Sequence, residues 1–110
     1  MDKELLKGSI DIVILALCAK DVYGYEIVKK IKEYTNSIYA MGEGTLYPAL
    51  KRLEEKNFLT SYWGDADKGG RRKYYKITNE GKKILEEKLK DRDLINHLIN
   101  ECLKGDDKNE

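Results

Sequence analysis

Residues 44–53, GTLYPALKRL, predict the helix around which the rest of the chain is arranged. Three leucines recur in and around this segment at the spacing of one buried helical face, namely Leu46, Leu50 and Leu53. Proline lacks the N–H that an interior helical position donates, so Pro48 must stand near the start of the helix. With Thr45 as the N-cap, Pro48 becomes the third helical residue, where no internal N–H bond is needed. The pattern therefore predicts a helix that begins at Thr45.

The face of this helix that lies opposite the leucines carries basic and hydroxyl side chains. Lys51 and Arg52 can reach guanine edges from there, and Thr45 can reach a phosphate or a base. Tyr47 stands at the edge of the leucine face, where it is either a DNA contact or an aromatic residue at the edge of the core. The alternative for the two cations is an ordinary solvated helix surface.

Two further helices are predicted before this one. The first runs from about Leu5 or Ser9 to Ala19, and its middle is apolar all round, as is typical of a central helix. The second runs from about Gly24 to Tyr34 and is short and amphipathic. Turn-forming residues follow it and lead into the third helix, so three helices are expected before any strand.

The chain changes from helical to extended periodicity after Asn57. Leu59–Trp63 and Arg72–Ile77 are β-prone runs, and the segment between them contains three glycines. We expect a hairpin with a flexible basic tip, from which Lys68, Arg71 and Arg72 contact phosphates. Lys73 faces the other side by strand alternation.

The last helix is predicted to begin after Thr78, which acts as its N-cap, and to reach about Leu103. Its length is about 39 Å at 1.5 Å per residue. The expected division is a DNA-binding domain over 1–77, a helix of the same compact unit over 78–104, and a disordered tail over 105–110.

These elements predict a mainly α-helical protein with a small β-hairpin, in the order of a winged helix-turn-helix with a long C-terminal helix. In such folds the third helix enters the major groove and the hairpin contacts the backbone or the minor groove. The residues predicted to contact double-stranded DNA are Thr45, Tyr47, Lys51, Arg52, Lys68, Arg71 and Arg72, with Tyr25 and Lys30 of the second helix as secondary candidates.

Four motifs in this order resemble the PadR family of bacterial regulators. They are YGYEI at 23–27, GTLYPAL at 44–50, RLE at 52–54, and RKYY at 72–75 followed by ITNEG at 77–81. The similarity extends from about Leu5 to Leu89. It implies a homodimeric transcriptional repressor on a two-fold-symmetric operator, often released by a small aromatic or drug-like compound.

The short chain resembles the PadR subclass with a single C-terminal helix, which swaps across to the partner subunit. An apolar stripe lies on this helix beyond the winged core and needs a surface to cover it. The expected dimer residues are Leu5, Leu6, Leu94, Ile95, Leu98, Ile99 and Cys102. The alternative is that the helix bends at the charged stretch 90–93 and folds back on the first helix of its own chain.

The effector is left open by the sequence. Certain short members hold flat drugs between tryptophans of the last helix, whereas the only tryptophan here is Trp63, on the hairpin. An apolar pore that includes Leu5, Leu6, Ile95, Leu98 or Ile99 is one alternative, and the absence of any ligand is another.

The charge distribution suits a nucleic-acid partner although the net charge is only +1. Residues 29–76 contain 11 basic and 6 acidic residues, while both ends of the chain carry an acidic excess. A solvated face would explain such an excess equally well, so charge alone does not decide. A winged-helix protein–protein adaptor without specific DNA binding is the alternative function, but an adaptor does not need a basic hairpin.

The remaining features point to a cytoplasmic protein that is not an enzyme. Ile12–Cys18, the longest apolar run, is too short to span a bilayer, and the chain does not begin like a signal peptide. Cys18 and Cys102 lie in apolar helical patterns and are expected to be buried reduced thiols. His97 is a lone histidine, and no phosphate-binding glycine loop follows a strand, so no catalytic, metal or cofactor site is expected.

Overall fold

The computed structural model describes residues 8–66 and 68–105, which form four helices and three strands. In chain order these are α1 (Ile10–Leu17), β1 (Val22–Tyr23), α2 (Gly24–Tyr34), α3 (Glu43–Glu55), β2 (Leu59–Asp65), β3 (Arg71–Ile77) and α4 (Asn79–Lys104). The predicted class, a mainly helical winged helix with a long last helix, is confirmed. Leu5, Leu6 and residues 106–110 of the predicted tail lie outside the described residues.

The strands form one antiparallel sheet in the order β1-β3-β2. Leu59 pairs with Ile77 at the base of the hairpin and Asp65 with Arg71 near its tip. The expectation of three helices before any strand was wrong, because Val22 pairs with Tyr75 on the free edge of β3. Two residues are too few to show an alternating pattern, so β1 could not be predicted from the periodicity of the sequence.

The core lies where the first three helices meet the sheet. Its fully buried side chains come from α1, α2, α3 and β2 and include Ile14, Leu15, Ile27, Leu46, Leu50, Leu53 and Leu59. The predicted leucine face of α3 is thus confirmed. Burial of each such side chain contributes on the order of 1.5–3 kcal/mol to folding, before the conformational entropy is subtracted.

The start of α3 differs from the prediction. The helix begins at Glu43 with Gly42 as its N-cap, and the Leu46 N–H donates to the Gly42 carbonyl at 3.0 Å. Thr45 is therefore not the cap, and Pro48 lies inside the helix. Pro48 has no N–H to donate to the Gly44 carbonyl, which therefore lacks its helical hydrogen bond. Both residues are exposed, so water can satisfy that carbonyl and the longer helix is tolerated.

The start of α4 is fixed as predicted. The Thr78 hydroxyl accepts from the Gly81 N–H at 2.9 Å and donates to the Asn57 carbonyl at 2.6 Å. A Cβ placed on Gly81 would lie only 2.2 Å from the Phe58 carbonyl oxygen, so the helix start lies directly against the α3–β2 turn. These contacts set the direction in which α4 leaves the domain.

The helix α4 continues without a break through the charged stretch 90–93 as far as Lys104. The bend required by the fold-back alternative is absent from the described part of the chain. Arg92 donates a hydrogen bond to the Ser9 hydroxyl where α4 crosses the start of α1. No helix among residues 8–66 and 68–105 is both long and apolar enough to cross a membrane.

Candidate nucleic-acid interface

The outward part of α3 has two sides with different neighbours. On one side Thr45, Pro48 and Arg52 line a cleft against α1. On the other side Tyr47 and Lys51 face β3, next to Glu54 and Glu55. The predicted contacts of this helix are all exposed, but they are divided between these two sides.

Arg52 is held by a carboxylate from another helix. One of its guanidinium nitrogens (Nη2) lies 2.7 Å from Asp11 Oδ1, with 47% of the Arg52 side chain and 28% of the Asp11 side chain exposed. Asp11 stands in the first turn of α1, where a negative charge is favourable. The two residues are 41 positions apart, so no sequence pattern relates them.

Tyr47 combines the two roles that the sequence left open. Its hydroxyl would be 2.8 Å from a Cβ placed on Gly24, so the ring lies against the start of α2. The residue remains 44% exposed. Tyr47 therefore packs at the edge of the core and still offers a surface to a ligand.

A groove runs between α3, the start of α2 and the wing, which consists of β2 and β3. We call it the wing groove. It has a volume of about 790 Å³ and is lined by Tyr23, Gly24, Tyr25, Lys29, Tyr47, Trp63, Arg72, Lys73 and Tyr75. The lining has three cations, several aromatic rings and no carboxylate. This is the composition expected of a surface that binds a polyanion.

The arginines of the wing lie over aromatic rings. The Arg72 guanidinium carbon is 4.3 Å from the centre of the Tyr23 ring, and that of Arg71 is 5.2 Å from the Trp63 ring. Such cation–π contacts restrict where the guanidinium can go. Tyr23 and Trp63 were not predicted as partners, although Trp63 pairs with Lys73 in the hairpin and Arg71 is therefore its diagonal neighbour on the same face.

Lys73 and Arg72 have different surroundings, as strand alternation predicts. The Lys73 ammonium lies 3.9 Å from Glu54 Oε1 and over the Tyr75 ring, so it faces α3. Burial raises the pKa of Tyr75, whose side chain belongs to the core. Lys68 is exposed in the turn between the strands.

Of the secondary candidates, only Tyr25 joins the wing groove. Lys30 lines a separate apolar groove between α1 and α2, with its ammonium 5.9 Å from the Tyr34 ring. Lys29, which was not among the predicted contacts, lines the wing groove beside Tyr25. Adjacent side chains on a helix point about 100° apart, so Lys29 faces the wing groove and Lys30 does not.

Three tyrosine rings from β1, β2 and β3 pack against one another. The rings of Tyr62 and Tyr74 are stacked with centres 5.5 Å apart, and Tyr23 meets Tyr74 edge-on at 5.8 Å. The Tyr62 hydroxyl donates to Asp21, and this hydrogen bond raises the pKa of Tyr62. A Cβ on Gly64 would be 2.8 Å from the Tyr74 ring, so a larger residue there would displace this ring. The three rings join the wing to β1 and the body of the domain.

The predicted dimer residues of α4 lie on an open apolar stripe. Leu94 and Leu98 are 65% and 59% exposed, and Ile95 and Ile99 are about half exposed. The prediction of two buried thiols was wrong for Cys102, which is exposed because this half of α4 extends past the core; Cys18 is buried. We refer to Leu94, Ile95, Leu98, Ile99 and Cys102 as the α4 stripe.

The described residues contain no group of three His, Cys, Asp or Glu side chains that could hold a metal ion. His97 is exposed on α4.

The model of the PadR-like family of transcriptional regulators matches residues 13–87. An uncharacterized protein of Lysinibacillus sphaericus is 40% identical over 103 residues, which cover 93% of this chain and 94% of the relative. A PadR family transcription regulator of Clostridium difficile has a crystal structure with a TM-score of 0.76 and 45% identity, covering 87% of this chain and 99% of that one.

A transcriptional regulator from Clostridium thermocellum is also similar, with a TM-score of 0.79 and 40% identity over 89% of this chain and 96% of that chain. The family match spans well over half of the chain and includes α2, α3 and the wing. The protein is therefore a DNA-binding transcriptional regulator rather than an enzyme, and the chain belongs to the PadR-like family.

Proposed function

We propose that the protein is a repressor that binds a two-fold-symmetric operator as a homodimer. The observation that carries the proposal is the wing groove, where Lys29, Arg72 and Lys73 line one surface next to α3 without any carboxylate in the lining. Because DNA presents phosphates at regular spacing, a cationic groove beside a recognition helix suits one strand of a duplex. A repressor of this kind binds its DNA in the cytoplasm, where we therefore expect the protein to act.

In the proposed complex α3 enters the major groove and the wing follows the neighbouring strand. Thr45, Lys51 and Arg52 then face base edges, while Arg71 and Arg72 contact phosphates. Lys68, in the hairpin turn, and Tyr25, in the wing groove, add further contacts to the DNA. The aromatic partners of the wing arginines lower the entropy that these side chains lose when they bind.

The α4 stripe supports the homodimer. Its apolar side chains are about half exposed or more in the single chain, which is costly for a protein in water. A second copy covers it economically, because the same stripe on a two-fold-related helix is complementary to it. We therefore assign residues 78–104 to dimerisation and residues 1–77 to DNA binding.

Release by a small effector belongs to the same proposal. The apolar groove between α1 and α2 has a volume of about 640 Å³ and includes Ile12, Leu17 and Ile31. That size is in the usual range for drug-sized ligands. The effector would act by favouring a dimer whose two α3 helices no longer match the operator spacing.

Selection from a randomised duplex library tests the operator. We expect the selected sequences to contain two inverted half-sites, which follow from the two-fold symmetry of the dimer. Fluorescence anisotropy with the selected duplex and a scrambled duplex, at several salt concentrations, then measures selectivity and phosphate contacts. Weak binding without sequence preference at low salt would contradict the proposal and favour a protein–protein adaptor.

A further inference from the structure

The ion pair between Asp11 and Arg52 joins α1 to the outward side of α3. Arg52 lies two turns after Thr45 on the side of α3 that lines the α1 cleft. The guanidinium is nearly half exposed and lies 2.7 Å from Asp11 Oδ1. The pair is therefore exposed enough for a base edge in the major groove to compete with Asp11 for Arg52.

The strengths of the competing contacts decide when Arg52 leaves Asp11. An exposed ion pair changes an equilibrium constant by up to about five-fold. A single exposed contact with a phosphate is of the same kind, so exchanging Asp11 for a phosphate gains little. A bidentate contact with guanine discriminates by about five- to 150-fold and can displace the carboxylate.

We propose that Asp11 is a positioning residue that limits the affinity of the protein for its operator, because Arg52 must leave this carboxylate before it can contact a guanine. The acidic side chain of Asp11 is itself repelled by phosphates. The inference rests on the proposed function, in which α3 enters the major groove. It adds a residue on α1 to the set that determines how tightly the operator is bound.

The surroundings of the pair are consistent with an exchange of partners. Lys88 of α4 lines the same cleft as Arg52 and Asp11. Its positive charge offers Asp11 a second cation once Arg52 has turned to a base. The carboxylate therefore does not become unpaired in a cleft between three helices when DNA binds.

The substitution Asp11→Asn tests this role with little change in shape. We expect its affinity for the selected duplex to rise about three- to five-fold, because Arg52 no longer has to break an ion pair before it contacts the guanine. Affinity for the scrambled duplex should rise less, because a phosphate holds Arg52 more weakly than a guanine does, so the ratio of the two affinities rises. The slope of log K against log salt for scrambled DNA should steepen by about 0.9, the value for one added phosphate contact.

A matched control separates this effect from the loss of a negative charge. Glu55→Gln also removes one carboxylate near α3, and Glu55 makes no ion pair among the described residues. We expect this variant to strengthen binding to both duplexes by the same factor. In an Arg52→Ala background, Asp11→Asn should leave the affinity ratio unchanged, since there is no guanidinium to release.

The outcomes distinguish the inference from the proposed function. Selective binding by the wild-type protein together with an unchanged ratio in Asp11→Asn would overturn the inference alone. A ratio that rises equally in the Arg52→Ala background would also overturn it. Wild-type protein that binds no duplex selectively would overturn the proposed function and this inference together. Thermal unfolding of each variant shows whether it is folded.

Discussion

The three arginines of the interface each have a defined neighbour. Arg52 has a carboxylate, Asp11, whereas Arg71 and Arg72 lie over aromatic rings. A carboxylate partner must be displaced before the cation can bind DNA, but an aromatic partner leaves the charge available. We therefore expect the wing to provide affinity for any duplex and Arg52 to provide selectivity.

The buried thiol of Cys18 predicts a loss of stability in alkali. Burial raises its pKa from 9.0 to about 12. The unfolded chain releases this proton at lower pH than the folded chain, so the stabilisation is complete below pH 9 and disappears as the pH rises toward 12. We expect a loss of roughly 3 kcal/mol in the free energy of unfolding by pH 11 from this group.

Urea unfolding at pH 8 and pH 11 measures this loss, and Cys18→Ala is the control. The variant has a cavity and is less stable at pH 8, but its free energy of unfolding should fall by about 3 kcal/mol less over this range. The pKa of Tyr75 is raised mainly by burial and least by Cys18, so most of the contribution of Tyr75 is common to both proteins. The same dependence on pH in both would show that Cys18 is not protected from ionisation.

Single-residue partnerships are the part of the interface that the sequence does not predict. Thr45, Lys51 and Arg52 follow from the periodicity of one helix, because the leucines define the buried side. The pair of Arg52 with Asp11 depends on how α1 crosses α3, and the pair of Arg72 with Tyr23 depends on β1. Both are tertiary contacts between segments that share no local pattern.

The elements themselves were largely predictable. The bounds of α2 match the predicted Gly24–Tyr34, and Thr78 caps α4 as expected. The start of α3 was missed because the lost bond of Pro48 falls on the exposed side, where the proline rule is weakest. The elements were therefore predictable where the buried face or a side-chain cap decides, and less so where water can replace a hydrogen bond.

Two glycines at helix starts predict opposite effects on stability. Gly81→Ala places a Cβ 2.2 Å from the Phe58 carbonyl oxygen, so the first turn of α4 must shift, at a cost of about 1–3 kcal/mol. Gly44→Ala meets no atom within 4 Å and removes a flexible residue from α3, so it should stabilise by up to about 1 kcal/mol. Thermal unfolding measures both variants.

The melting temperature should fall for Gly81→Ala and rise for Gly44→Ala. A Gly81→Ala protein as stable as the wild type would contradict the close approach of α4 to the α3–β2 turn, and a lower melting temperature for Gly44→Ala would contradict the open space around Gly44.

At the scale of the molecule, α4 connects the DNA-binding surface to the second copy. Its start is fixed against the α3–β2 turn, and its far half presents the α4 stripe. Since α4 is continuous over 26 residues, the position of one α3 relative to the other follows from how two such helices pack. The sequence predicted the stripe, but the packing of two copies depends on surfaces that only the assembly brings together.

The central claim is that two chains, joined through the α4 stripe, bind one duplex. Light scattering of the protein mixed with the selected duplex should give the mass of one duplex with two chains. Leu98→Glu with Ile99→Glu should give monomers that bind at least ten-fold more weakly, because the two half-sites are no longer linked. Asn100→Glu, which changes the polar side of the same helix, should remain dimeric. A wild-type complex with one chain, or a dimer that survives both glutamates, would contradict the account.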